Sequence, residues 1–537
     1  MDVATPEPAP TLEPDVVGPA RHVWRIFLLT AVAAVFLHWT LRHSEARLRD
    51  GLRSIESARQ IDAGAWRDGL VRGMDHPLHP LGIVAMHRLI GVEGPEWWER
   101  AAVALGFASV VLLVIPVYLL TRDLFGDRAA WLGVVLFVVN PVVGSVVVNV
   151  LSESTFLLFW TWGLWASARF LREGGFFWLP LAVGFGGLAY LGRPEGLLLP
   201  AAAVATLALL PLHPVTRINW PRWWRAIAFL AVGSLVLAGP YMAAKGKLAT
   251  RPGLARALGL EAHSPAVALE RETPLASGQT VFETYRLASV QMLEAVNANV
   301  PLSVLALAVL GLAAARSSRA PARTWLFLGV LSATSAAALI RLHATAGYCS
   351  PRNALVPGMI LTLIAAHGLA WLMDHLSFDG RLLGAPGERL RPGPAVWAGA
   401  VALGILLPRF HGAAVSTPGP FNVYWDAGIW LSNRAPEEGG VLDLTDWSLY
   451  FSRREGATFA QIHDAAADPK LRWIVALKSQ TEGASTYAPT LRELTGGLPP
   501  VVLVPESPQP GQVQIQIFDR LAAARIAREK VETPPRR

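Results

Sequence analysis

The sequence predicts a mainly α-helical bundle that crosses a membrane many times, followed by a small α/β unit. Hydrophobic residues make up 53% of the 537 residues and charged residues only 16%, which is too apolar for a soluble protein of this length. Several apolar windows approach the roughly 20 residues that a helix needs to span a bilayer. After about residue 409, by contrast, the composition becomes that of a soluble protein.

Eleven apolar segments predict the spans. They lie near residues 24–41, 101–120, 129–149, 154–168, 176–191, 196–212, 226–243, 298–315, 324–340, 354–374 and 394–408. Alternate connections are rich in arginine, and short cytoplasmic loops retain Lys and Arg, so that side is predicted to be cytoplasmic. These loops carry Arg122, Arg128, Arg169, Arg172, Arg217, Arg222, Arg225, Arg316, Arg319, Arg323, Arg381, Arg389 and Arg391. The formal net charge of +7 is therefore attributed to topology and not to nucleic-acid binding.

The predicted organisation has three parts. A disordered cytoplasmic tail covers residues 1–23, a transmembrane domain covers 24–409 with a first periplasmic loop at 43–100, and a periplasmic α/β domain covers 410–537. The first 20 residues lack the basic region of a secretory signal, so the first span is predicted to be an uncleaved anchor. Cys349 is the only cysteine, which excludes an intramolecular disulfide and a thiolate zinc site.

The first outer loop is predicted to hold two amphipathic helices. Apolar Leu48, Leu52, Ile55 and Ala58 recur at helical spacing, and this stripe should face lipid or protein on the outer surface. Asp50 lies on another face, early in the loop and close to the bilayer. In "HPLHPLG" (76–82) each proline disfavours the helical conformation of the preceding residue, so His76 and His79 are predicted to be extended. A second helix is predicted over Leu81–Ile90.

Four motifs follow one another along the chain. They are an aspartate-led helix followed by "HPLHPLG", then "NPVVGSVVVNVLSESTFLLF" (140–159), "AYLGRPEGLLL" (189–199) and "YCSPRNALVPG" (348–358), where Asn353 stands in place of the usual tyrosine. In this order the motifs resemble those of the GT-C superfamily of membrane glycosyltransferases, of the protein mannosyltransferase and aminoarabinose-transferase kind. The resemblance covers about residues 24–410 and implies a GT-C fold in a bacterial inner membrane.

The resemblance implies an inverting glycosyltransferase. Such an enzyme moves a sugar from a polyprenyl-phosphate donor to a hydroxyl of a lipid, glycan or protein acceptor at the outer face. A carboxylate must take the proton from that hydroxyl, and arginines can stabilise the leaving phosphate. Asp50 is the predicted base and Asp75 its rival. The alternative for Asp50 is an ion pair with Arg47 or Arg53, three residues away on the helix.

The other candidate residues each have two interpretations. Glu153 either contacts acceptor or a divalent cation, or caps a helix together with Ser152. Arg193, beside Glu195, and Arg352, beside Tyr348, either hold the carrier phosphate or extend to the membrane interface. His76 and His79 are predicted to serve structure or substrate hydrogen bonding in preference to metal ligation, because no further ligand at zinc spacing is visible.

Neither a cofactor nor the alternative of a transporter is settled by the sequence. Some members of the superfamily need Mg or Mn and others do not, so a metal stays undecided. A polytopic transporter of a lipid-linked or small anionic substrate would usually show two comparable halves, which are not found here. The C-terminal segments "GVLDLT", "RWIVALK", "PVVLVPE" and "QVQIQIFDR" predict strands of a small α/β layer with a helix at 426–436.

Overall fold

A computed structural model describes most of the chain. It covers residues 19–44, 49–72, 75–212, 219–246, 280–346, 349–375, 404, 407, 421–434, 439–458, 461–482, 488–508 and 513–521. Before residue 376 the described residues are almost entirely helical. The helices are α1 (Pro19–His43), α2 (Arg49–Asp62), α3 (Leu78–Ile90), α4 (Pro95–Phe125), α5 (Asp127–Val138), α6 (Pro141–Val148), α7 (Glu153–Glu173), α8 (Trp178–Gly192), α9 (Leu198–Leu209), α10 (Trp220–Lys245), α11 (Val281–Asn299), α12 (Leu302–Ala313), α13 (Ala322–Ala346) and α14 (Leu355–His375).

The predicted class, a membrane-spanning helical bundle, is confirmed, although the predicted number of eleven spans is not. By length and composition, six of the described helices could cross a membrane, or up to eight if each of two bent pairs forms one span. Helix α7 packs against α4 and α8, and α14 against α12 and α5, around one large apolar core. The predicted span at 394–408 lies almost wholly outside the described residues, as do residues 1–18.

Two of the predicted spans include a helix break. The segment 129–149 bends by 52° between α5 and α6, whereas 298–315 meets a 92° bend at its first residues, where α11 ends at Asn299 and α12 begins at Leu302. Pro141 and Pro301 stand at the breaks, and proline has no N–H to continue a helical hydrogen-bond ladder. The two breaks meet, because Asn140 Nδ2 donates to the Asn299 carbonyl at 3.3 Å.

The arginine-rich connections gather at one end of the bundle. Buried Asp123 accepts from Trp165 Nε1 at 2.9 Å and lies 2.6 Å from Arg169 Nε. Arg323 donates to the Arg172 carbonyl at 2.9 Å, and Arg222 donates to the Gly174 carbonyl. These loops are therefore close in space, as a common side of the membrane requires. Which side faces the cytoplasm stays a prediction.

The first outer loop differs in part from its prediction. Helix α2 buries its stripe of Leu52, Ile55 and Ala58 against protein. His76 is non-helical, as predicted, but His79 is helical, so the prediction of an extended His79 is wrong. His79 and Pro80 lie in the first turn of α3, where a backbone N–H has no partner within the helix, and proline is tolerated there.

The C-terminal α/β unit, residues 421–521, lies on the opposite end of the bundle from the arginine-rich loops. Its strands are β1 (Gly440–Asp443), β2 (Ala457–Thr458), β3 (Leu471–Leu477), β4 (Val502–Val504) and β5 (Ile515–Asp519), in the order β2-β1-β3-β5-β4. Strands β2, β1 and β3 are parallel, and β5 is antiparallel to β3 and β4. Helices α15 (Phe421–Ser432), α16 (Trp447–Ser452), α17 (Ile462–Ala467), α18 (Lys478–Thr481) and α19 (Ala488–Thr495) complete the unit.

This unit shares a hydrophobic core with the first outer loop. Trp447, Tyr424 and Ile517 belong to the same buried cluster as Leu52 and Ile55 of α2. The Tyr450 hydroxyl donates to the Pro95 carbonyl, at the start of α4, at 2.9 Å. The unit therefore fixes α2, and with it Asp50, against the end of the bundle.

Candidate functional site

Acidic and basic side chains alternate across the end of the bundle beneath the α/β unit. Asp50 contacts both Arg53 and Arg352. Arg352 Nε lies 3.9 Å from Glu153 Oε1, and Glu153 contacts Arg193. Arg193 also donates to Glu195 at 2.8 Å. The result is a continuous charge network, which runs from Arg53 through Asp50, Arg352, Glu153 and Arg193 to Glu195.

The network is buried at one end and open at the other. The side chains of Glu153 and Arg193 are 4% and 6% exposed, whereas those of Asp50 and Arg352 are each 21% exposed. Buried charges at this depth are stable only when they are paired. A reacting group could therefore reach Asp50 and Arg352, while Glu153 and Arg193 support them from below.

Helix α2 approaches the bundle closely enough to bring Asp50 to this place. A Cβ atom on the neighbouring Gly51 would lie 2.5 Å from the Asn149 carbonyl oxygen, so only glycine fits. The contact is with the turn that precedes α7, and in that turn Val150 has a φ of 56°. The same turn leads directly into Glu153, the first residue of α7. Ser152 makes no side-chain capping bond, which leaves its predicted role as a cap unsupported.

Two short turns present the arginines. Pro194–Leu197 forms a 3-10 turn after α8, and a Cβ on Gly196 would lie 2.2 Å from Tyr190 N, so the chain turns back tightly at Arg193. Pro351–Ala354 forms a second 3-10 turn that carries Arg352. Both turns stand at the start of the next helix, so the position of each guanidinium group is set by a rigid element.

Asn353 and Asn299 hold the second turn in place. Ser350 donates to Asn353 Oδ1 from its backbone N at 3.1 Å and from its hydroxyl at 2.6 Å. Asn299 Nδ2 donates to the Pro351 carbonyl at 2.7 Å. Asn353, which departs from the motif, thus caps the turn, and Asn299 at the end of α11 holds the residue before Arg352.

The histidines and Asp75 form a second layer behind α2. Ser54 Oγ donates to Asp75 Oδ2 at 2.7 Å, and both residues are buried. His79 Nδ1 lies 2.8 Å from Thr155 Oγ1. The ring of His76 packs edge-on against Tyr190 at 5.2 Å and lies 5.3 Å from the Tyr241 ring. This layer ties the HPLHPL segment to α7, α8 and α10.

His79 is held in its neutral form by its surroundings. Burial lowers the pKa of His79, although the nearby carboxylates of Asp75 and Glu153 act in the opposite direction. Glu153 itself contacts guanidinium groups, and no group of three His, Cys, Asp or Glu side chains in the described part of the chain is spaced to hold a metal ion.

Nearly all the residues that the sequence singled out lie together. Asp50, Glu153, Arg193, Glu195 and Arg352 form the charge network, and Asp75, His76 and His79 lie behind it. Tyr348 lies outside the described residues. The helical spacing places Ser54 on the same face as Asp50, whereas Thr155, Tyr190, Tyr241 and Asn299 were not predicted as site residues. Of these four, only Tyr190 had a usable signal, since it precedes Arg193 by one helical turn.

The fold class is defined by three features. They are a helical membrane bundle, a large loop after its first helix, and a charge network at the end of the bundle that the α/β unit covers. The chain has the fold of the GT-C superfamily of membrane glycosyltransferases, which confirms the resemblance drawn from the motifs. Residues 75–240 of the chain match the family model described as dolichyl-phosphate-mannose-protein mannosyltransferase.

Two solved structures share the fold at low sequence identity. One is the archaeal oligosaccharyltransferase AglB from Archaeoglobus fulgidus, in complex with an inhibitory peptide and a dolichol-phosphate. It is 13% identical with a TM-score of 0.59, over 85% of this chain and 70% of that one. The other is ArnT from Cupriavidus metallidurans, bound to undecaprenyl phosphate. It is 16% identical with a TM-score of 0.53, over 93% of this chain and 98% of that one. No curated protein matches in sequence.

Proposed function

We propose that the protein transfers a sugar from a polyprenyl-phosphate carrier to an acceptor hydroxyl at the outer face of the membrane, with inversion. The observation that carries this proposal is the open pair of Asp50 and Arg352, a proton acceptor and a phosphate ligand in direct contact. The two similar structures support the carrier class, because one holds undecaprenyl phosphate and the other a dolichol-phosphate. The acceptor class, whether lipid, glycan or protein, follows from neither.

The geometry suggests an order of events. The carrier phosphate would compete with Asp50 for Arg352, and bidentate guanidinium–phosphate bonds are strong. This exchange would free one oxygen of Asp50 to accept the proton of the acceptor hydroxyl. The acceptor oxygen then bonds to the anomeric carbon, the bond from that carbon to the phosphate oxygen breaks, and its electron pair leaves with the phosphate. Arg352 stabilises the developing charge.

Glu153 and Arg193 serve this step without touching the reacting atoms. Glu153 attracts Arg352 from below and is itself held by Arg193. Orientation of a catalytic group by a rigid, charged support reduces the reorganisation that the reaction would otherwise require. His79, neutral and close to Thr155, positions the segment that carries Asp75.

Transfer assays with a panel of radiolabelled polyprenyl-phosphate sugars test the proposal. Membranes that contain the wild-type chain should transfer label from at least one donor, and Asp50→Asn should lower that rate by about 10²- to 10⁴-fold, the usual contribution of a general base. Asp62→Asn is the control, because Asp62 ends the same helix and pairs with Arg88 at its surface. Transfer by no donor, or full activity of Asp50→Asn, would overturn the proposal.

A further inference from the structure

A cavity lies on the side of α2 opposite Asp50. It is an open cleft of about 680 Å³ between the first outer loop and the C-terminal α/β unit. Arg59, which lines it, is nine residues after Asp50, so it lies about 14 Å along the helix and two and a half turns around it. The cleft is therefore separate from the charge network, although both are built on the same helix.

The lining of the cleft is highly charged but nearly neutral in sum. Four acidic and three basic residues line it among the described residues, a formal balance of −1, although the Arg454 guanidinium donates to the carbonyls of Leu431 and Gly439. The acidic residues are Glu56, Glu93, Asp446 and Glu455, and the basic residues are Arg59, Arg453 and Arg454. A strongly anionic ligand would meet the carboxylates and a strongly cationic one the guanidinium groups, so neither is favoured.

A neutral ligand rich in hydroxyl groups fits this pattern. Adjacent hydroxyls donate to carboxylates and accept from guanidinium groups, so a ligand without charge can form hydrogen bonds to lining residues of both signs. A volume of about 680 Å³ lies well within the usual range of about 300–1,000 Å³ for small-molecule sites. The cleft can therefore accommodate a short oligosaccharide.

The backbone of the cleft is strained where it presents these groups. Among the described residues only three that are not glycine have a positive φ, and two of them, Asp446 at 64° and Arg453 at 58°, line the cleft. They flank α16, whose Tyr450 is anchored to the Pro95 carbonyl. Strained residues persist where the surrounding structure holds them, and they concentrate at functional sites.

We propose that this cleft binds a neutral oligosaccharide of two to four sugar units. One further step rests on the proposed function: that the cleft holds the part of a glycan acceptor beyond the reacting hydroxyl. Binding of the oligosaccharide itself depends only on the residues of the cleft. Sugar binding and sugar transfer can therefore fail separately.

Saturation-transfer NMR on the full chain in lipid nanodiscs tests the cleft, in the absence of sugar-based detergents that would compete. The probes are mannotriose, maltotriose and cellotriose, with trigalacturonate and a chitosan trimer as charged comparisons. At least one neutral probe should bind, and more tightly than both charged ones. Arg453→Asn should weaken that binding about tenfold through loss of a charged donor, without disturbing the fold, because asparagine tolerates positive φ.

Glu455→Gln supplies a second test, with Glu493→Gln as its matched control. Both carboxylates are exposed, but Glu493 lies on α19 outside the cleft. Glu455→Gln should weaken binding and Glu493→Gln should leave it unchanged. Three results would overturn the proposed sugar site, even if transfer from polyprenyl-phosphate donors is observed. They are binding of no neutral probe, tighter binding of a charged probe, and equal binding by Arg453→Asn and wild type. Sugar binding without any transfer would instead support the proposed sugar site and overturn the proposed function.

Discussion

Glu153 lies between Arg193 and Arg352 with a side chain that is 4% exposed, so its charge is the most costly in the site to leave unpaired. Removal of one partner from a buried ion pair usually costs about 3–5 kcal/mol, whereas a complete pair is close to neutral for stability. The network is therefore better understood as a device that orients Arg352 than as a source of stability. Asp50 and Arg352, at its open end, are the residues to which we assign the proposed chemistry.

His79 gives the site a pH dependence that can be measured. Because burial lowers its pKa below the ordinary value of 6.5, the unfolded chain takes up the proton first as the pH falls. The stabilising effect of neutral His79 is thus complete above about pH 6.5 and declines below it, by at most about 1.4 kcal/mol per pH unit.

We expect the melting temperature of the wild type in nanodiscs to fall more steeply between pH 7 and pH 5 than that of His79→Gln. The two curves should run parallel above pH 7. Equal slopes for wild type and His79→Gln in the acidic range would show that His79 is not the responsible group.

At the scale of elements, the 3-10 turn at Pro351–Ala354 decides where Arg352 points. Its cap uses Asn353 Oδ1 as the acceptor of two bonds from Ser350, and its carbonyl at Pro351 is held by Asn299. The bond to the Pro351 carbonyl comes from Asn299, the last residue of α11, which ends just before Pro301 and beside the turn. A straight helix over 298–315 would not place Asn299 in the same way.

Asn353→Ala should loosen this turn and weaken binding of the polyprenyl-phosphate donor. The loss of two hydrogen bonds predicts up to about a thirtyfold higher Kd, since each contributes about 1 kcal/mol and about 1.4 kcal/mol corresponds to a factor of ten. Asn353→Asp keeps the acceptor oxygen and should restore the affinity. The donor Kd and the melting temperature, both measured for each variant, separate loss of the cap from a general loss of stability. If Asn353→Asp binds as poorly as Asn353→Ala while both melt like wild type, the cap does not position Arg352.

The elements of the site could be predicted from the sequence, but their contacts could not. Residue type, outer position and motif order brought Asp50, Glu153, Arg193 and Arg352 to attention. Their pairing depends on contacts between residues that are far apart in the chain, such as Asp50 with Arg352, which no local pattern records. Hydropathy likewise predicted continuous spans at 129–149 and 298–315, because it reports apolar length and not direction.

At the scale of the whole molecule, the first outer loop and the C-terminal α/β unit act as one body over the bundle. Helix α2 carries Asp50 on one side, lines the cleft with Arg59 on another, and buries Leu52 and Ile55 in the shared core. The composition change after residue 409 predicted the α/β unit and its main strands, but not this shared core. Movement of the unit would therefore displace both the charge network and the cleft.

In the proposed reaction Asp50 takes the proton of the acceptor hydroxyl while Arg352 holds the carrier phosphate. Donor Kd and single-turnover transfer rate, measured side by side for Asp50→Asn and Arg352→Gln, test it most directly. We predict that Asp50→Asn slows transfer at least about 100-fold with a Kd within a few-fold of wild type, and that Arg352→Gln raises the Kd about tenfold or more. A wild-type transfer rate in Asp50→Asn would contradict the role of Asp50 as the base, and wild-type donor affinity in Arg352→Gln would contradict the role of Arg352 as the phosphate ligand.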